Sequence, residues 1–155
     1  MPEKIPSRLS LLPLLLMLFG TFSCAAQPPK SGLVDGRLPP CPNRPNCLNS
    51  ETPGPAYIAP LPYTTTPAMA WQNLKKTIED TEGTIVDSQP GYLRAVYTSQ
   101  LMRFEDDLEF RLDEAAEVIQ VRSASRTGYW DLGVNRRRVE RIRRLFGGQD
   151  ERSAR

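Results

Sequence analysis

The chain has 155 residues, with 20 basic and 18 acidic side chains, no histidine and a net charge of +2. That length accommodates one domain plus extensions. The missing imidazole excludes Ser-His-Asp and Cys-His nucleophiles, histidine metal sites and the usual neutral-pH proton shuttle.

Lys4 and Arg8 lead into the apolar run LLPLLLMLFGTF, which ends at Cys24. The run is short for a membrane span, and its flanks are those of a secretory signal, so residues 1–23 are expected to be removed. Thr21-Phe22-Ser23-Cys24 resembles a bacterial lipobox, in which the cysteine becomes the diacylated first residue. Ser23-x-Ala25 also suits an ordinary signal peptidase, which would discard Cys24. The expectation is an exported cell-envelope protein held on a membrane through lipidated Cys24. A soluble periplasmic protein is the alternative.

Three cysteines in an exported chain leave one over unless it has another task. With Cys24 lipidated, Cys41 and Cys47 remain in CPNRPNC, in an oxidising compartment. A disulfide there would constrain the unfolded chain by about 2.4 kcal/mol on the chain-entropy account. A thiol redox pair is the alternative, although the spacing is not C-x-x-C. With no histidine and too few thiols, no metal centre is expected, and nothing calls for a cofactor.

Residues 24–63 are rich in Pro, Gly, Asn and Ser without a period, and are expected to form a tether made locally rigid by the cysteine loop. A compact domain over 64–146 follows. Thr66-Pro67 is a cap followed by proline at the first helical position. Ala70 or Trp71, Leu74 and Ile78 then recur at helical spacing, giving a helix over 67–80 that Glu82-Gly83 ends. Four strands come next: TIVDS, YLRAVYT, DLEFRLD and EVIQVRSAS. In the third, Leu108, Phe110 and Leu112 alternate with Asp107, Glu109, Arg111 and Asp113, so one face is apolar and the other is expected to be wet. Matching apolar residues in the next strand sets Leu112 beside Ile119 and Phe110 beside Val121, with Arg122 opposite Glu109. A last helix is expected from Asn135 as cap to Phe146, with Val139, Ile142, Leu145 and Phe146 as its apolar stripe. Gly147-Gly148 would end it and leave residues 147–155 as a polar tail. The fold class is therefore α+β: a four-stranded antiparallel meander flanked by an N-terminal and a C-terminal helix.

DGRLPPCPNRPNC, RFEDDLEF and VRSASRTGYWDLGVNRRRVERIR resemble, in order, three blocks of the bacterial and chloroplast family known as domain of unknown function 1499. The likeness runs from about Asp35 to Phe146. It implies an exported or lipid-anchored protein and carries no activity with it.

The polar residues left over cluster near the start of the last helix. Arg122, Ser123, Ser125 and Arg126 leave the last strand, and Asp131, Asn135, Arg136 and Arg138 enter the helix. Free backbone N–H groups, the helix dipole and adjacent guanidinium groups there would favour a carboxylate or phosphate, such as one on an envelope lipid or glycan. The competing reading pairs Arg122 and Arg126 with Asp106, Asp107 or Glu109 inside the fold. Tyr129 and Trp130 would stack on a ligand or pack over the core. Six arginines between Arg136 and Arg144 give a solvated helix face or a contact with anionic lipid headgroups. Export argues against a nucleic-acid partner, and no oligomeric state follows. The role expected is accessory or anion-binding and not catalytic. A histidine-free hydrolase using Ser123 or Ser125 with Asp131 is the enzymatic alternative. Asp106 and Asp107, adjacent on a strand, face opposite ways and make a poor catalytic pair.

Overall fold

The computed structural model describes residues 31–100 and 103–154, so residues 1–23, expected to be a signal, and Cys24 lie outside the described residues. Helix α1 (Pro67–Asp80) starts as its sequence dictates: the Thr66 hydroxyl accepts from the Met69 amide, and Pro67 occupies the first turn. Its face Ala70, Leu74 and Ile78 is fully buried, with Trp71 packed at the margin. The chain leaves the helix through Glu82, whose φ of 68° is left-handed. Gly83 follows for a different reason: a Cβ there would lie 2.6 Å from Cζ of Tyr97.

Strands β3 (Thr84–Gln89), β4 (Tyr92–Thr98), β5 (Glu105–Asp113) and β6 (Val118–Ser125) then run as an antiparallel meander. The expected register holds, with Glu109 opposite Arg122, Phe110 opposite Val121 and Leu112 opposite Ile119. The glycine-free turn before β6 is closed by Glu117 at a φ of 51°.

Among the described residues the sheet has six strands rather than four. β1 (Cys47–Asn49) and β2 (Leu61–Pro62) both pair with β6, setting Leu48 against Ser123 and Leu61 against Ile119. Both strands fall inside the stretch expected to be a tether. Two- and three-residue strands carry no readable period, and the Pro- and Asn-rich composition around them hid the pairing. Leu38, Leu48, Ile58, Leu61 and Tyr63 from this stretch are buried.

Helix α2 (Val134–Ser153) also departs from expectation by running through Gly147-Gly148. Asp150 draws the extra turns down. Its carboxylate accepts from the Thr64 amide at 2.6 Å, from the Thr64 hydroxyl at 2.9 Å and from the Thr65 hydroxyl. Ser153 and Gln149 reach Asn73 and Asp80 of α1. Val139, Ile142 and Phe146 join α1 over one face of the sheet, whereas Leu145, expected in the stripe, is 40% exposed. The architecture is α+β, with two helices on one face of an antiparallel sheet.

The other face is the larger surprise. Its alternation is the one expected, but it is not wet: Asp107, Glu109 and Arg122 are buried. Gly32 and Glu51, from either side of β1, reach over it. The Gly32 amide donates to the Tyr92 hydroxyl at 3.0 Å and to Glu109 at 2.8 Å, and Glu51 accepts from Arg111 at 2.6 and 2.9 Å. Each buried acid there meets an arginine or another donor, as burial of charge requires.

Candidate functional site

The arginines of the expected anion cluster separate into two groups. Arg122 donates to Glu109 at 2.5 Å, and the same carboxylate accepts from the Tyr92 hydroxyl at 2.8 Å. Burial, followed by the Glu109 charge, pushes the Tyr92 phenol well above its ordinary value. Arg126 grips Asp107 with two bonds, 2.7 and 2.9 Å, and also reaches Glu105. Its hydrogen bonds to Asp107 hold the guanidinium well above the usual arginine value. Arg94 adds a third contact to Asp107, at 3.2 Å. On the helix side, Arg138 pairs with Asp106 at 2.8 Å and lies 4.9 Å from the centre of the Tyr97 ring. Arg122, Arg126 and Arg138 are thus bound by carboxylates of the fold itself. Asp106 and Asp107 do face opposite ways, one toward Arg138 of α2 and one toward Arg94 and Arg126.

The neutral members of the cluster serve the start of α2. Asn135, read as the cap, is instead inside the helix and fully buried. Its side-chain oxygen accepts from Ser123 at 2.5 Å and from Arg138 at 3.0 Å; its amide donates to Ser125 at 3.0 Å and to the Asn46 carbonyl at 3.2 Å. Capping falls to Asp131, whose carboxylate accepts from the Gly133 and Asn135 amides at 2.9 and 2.8 Å. A carboxylate suits the positive end of the helix dipole. Ser123 is buried, and neither serine lines the main cleft.

Two members of the set, Arg136 and the helix-capping Asp131, do line a cavity. A cleft of about 590 Å³ lies between the Cys41–Cys47 loop, the Thr52–Ala56 segment and the Tyr129–Asp131 turn, with Arg136 in its wall. The disulfide is formed and closes one side. Pro42, Pro45, Pro53 and Pro55 give that side rigid apolar walls. Arg44 adds a second guanidinium. Arg136 makes one long bond, 3.3 Å, to the Tyr57 carbonyl, and among the described residues no carboxylate pairs with it.

Tyr129 and Trp130 line this cleft at 69% and 66% exposure instead of packing on the core. The turn that carries them is braced. Asn46, buried, donates to the Gly128 carbonyl at 2.7 Å, Asp131 holds the far end, and Arg137 donates to the Leu132 carbonyl at 2.9 Å. Gly128, Leu132 and Gly133 all have left-handed φ, of 82°, 54° and 75°. For Leu132 that conformation carries strain, which the surrounding bonds must hold. Sequence reasoning left out the cleft's proline walls, because they come from the stretch read as tether.

The chemistry on offer is recognition: flat and apolar walls beside guanidinium groups. Among the described residues no group of three or more Cys, Asp or Glu side chains could hold a metal ion.

The fold and cleft define a small α+β module with a cationic, aromatic-lipped groove at the start of its last helix. The family described as "Protein of unknown function (DUF1499)" matches residues 37–146, and the chain belongs to that family. Comparison with curated proteins and with solved structures finds no match.

Proposed function

We propose that this is an exported, lipid-anchored envelope protein whose domain binds an anionic ligand in the cleft without turning it over. The observation that carries the reading is Trp130 and Tyr129 held out by a braced turn beside Arg136. Large aromatics exposed on a rigid loop at a concave site are a recognition surface, since nothing in the core requires them there. The ligand class that fits is a phosphate or carboxylate attached to a flat or apolar body, such as a sugar ring. The anion meets Arg136, and the body stacks on indole and proline.

Phenyl phosphate is a suitable probe. At millimolar concentration it should raise the melting temperature, and Arg136→Ala should remove that rise while leaving the unliganded transition in place. No rise with the unaltered protein sinks the proposal. The anchor is tested separately by mass spectrometry of the mature chain, which should begin with a diacylated Cys24. A mature chain starting after Cys24 would make it a soluble periplasmic protein.

A further inference from the structure

The six arginines of α2 between Arg136 and Arg144 do not share one role. Arg136 turns to the cleft, Arg138 to Asp106, and Arg143 to the Ala59 and Pro60 carbonyls and to Glu140. Arg137, Arg141 and Arg144 are exposed, and among the described residues no carboxylate pairs with them. At about 100° per residue these three fall within an arc of about 60°, opposite the buried stripe Val139, Ile142 and Phe146. The acids nearest that arc are Glu140, already bound to Arg143, Glu151, beyond Arg144 toward the C-terminus, and Glu82, which shares a hollow with Arg137 and Arg141.

This cationic stripe begins beside Leu132, which is 66% exposed on the braced turn next to Trp130. The Arg137–Leu132 hydrogen bond ties stripe and turn together, so the apolar tip and the charges move as one unit. Arg137 and Arg141 also border a hollow of about 390 Å³, with Tyr97, Ser99, Arg138 and one acid, Glu82, in its wall, so arginines outnumber the carboxylate there.

We infer that the outward face of α2, with Leu132 and Trp130 as its tip, docks on an anionic phospholipid bilayer. The charge is complementary to the headgroups, and the tip supplies the aromatic and aliphatic side chains that settle at a bilayer interface. The hollow has room for a headgroup phosphate between Arg137 and Arg141. A soluble polyanion would be served by the arginines alone and gives no use to a strained, exposed leucine. Trp130 is shared with the cleft, but Leu132, Arg137, Arg141 and Arg144 do not line it, and the inference rests on those four.

The test is flotation of the chain starting at Ser31, which retains every described contact and lacks any anchor, with vesicles. Vesicles containing phosphatidylglycerol should carry it, and pure phosphatidylcholine vesicles should not. Arg137→Gln, Arg141→Gln and Arg144→Gln combined should weaken binding at least tenfold, and raising salt should weaken it in the unaltered chain. Leu132→Asn, which suits the left-handed backbone, should weaken binding several-fold with the melting temperature maintained. Arg136→Gln should bind vesicles within about twofold of the unaltered chain, which separates this surface from the cleft. Absent binding, equal binding to neutral vesicles, or a Leu132→Asn chain that binds undiminished would each overturn the inference. So would duplex DNA held as tightly as the vesicles by both chains.

Discussion

Glu109 and Arg122 meet across β5 and β6 at 2.5 Å with both side chains withdrawn from water. Gly32, from the stretch before β1, reaches the pair and with Tyr92 completes the carboxylate's shell. The pair therefore joins the Pro-rich N-terminal stretch to the sheet, and that stretch supplies one wall of the cleft. Arg122→Met strands a buried carboxylate and should cost about 3–5 kcal/mol in urea unfolding. Adding Glu109→Gln to it should recover part of the loss, because the uncompensated charge is gone. A double variant as unstable as the sum of the singles would show that the pair is not coupled.

The cleft wall depends on the Cys41–Cys47 bond. Cys41→Ser with Cys47→Ser should lower stability by about 2 kcal/mol, the loop-closure contribution. Phenyl phosphate binding should fall more steeply than stability does, because the proline wall loses its fixed position. Calorimetric titration of the folded double variant measures this.

Asp150 gives a pH dependence with a definite sign. Burial alone would raise its carboxyl, but the hydrogen bonds from Thr65 and Thr64, with Asn73, outweigh that, and its folded value is lowered. Its contribution is fully present above the unfolded carboxyl value, about 3.9, and is lost as pH falls through the lower folded value. At pH 7, Asp150→Asn should cost about 2 kcal/mol. The gap between variant and unaltered protein should narrow as pH falls below the unfolded carboxyl value and through the lowered folded one. Denaturant midpoints across pH 2–7 would show this, and a gap independent of pH would contradict it.

Two glycines should respond oppositely to alanine. Gly147 lies in the interior of α2 with no atom within 4 Å of an added Cβ, so Gly147→Ala should add about 0.5–1 kcal/mol. Gly83→Ala drives a methyl against Tyr97 and Ile78 and should cost about 1–3 kcal/mol. Thermal melts of both variants measure the contrast.

The sequence made the central fold legible because its signals were local and periodic. The α1 cap, the meander and the β5–β6 register all follow from side-chain alternation and turn chemistry, down to Arg122 opposite Glu109. What failed was non-local. Charges alternating along β5 read as a solvent face, although Arg94, Arg111, Arg122 and Arg126 stood ready to neutralise Asp107, Glu109, Glu51 and Glu105. Such matched charge across neighbouring strands was the available sign of a covered face. Likewise Gly147-Gly148 reads as a stop until Thr64 and Thr65, far away in sequence, present donors to Asp150. The site was legible by position, at the start of α2, but only Arg136 of its arginines lines the main cleft.

The most direct measurement is the ¹⁵N–¹H spectrum of the chain from Ser31, titrated with phenyl phosphate and, separately, with phenol and inorganic phosphate. Phenyl phosphate should shift the Trp130 indole and the amides of Asn43, Thr52, Tyr129 and Gly133 together, with weaker effects from either half alone. Shifts confined to Arg137, Arg141 and Arg144, or no saturable shifts at all, would contradict an anion-binding cleft at Arg136.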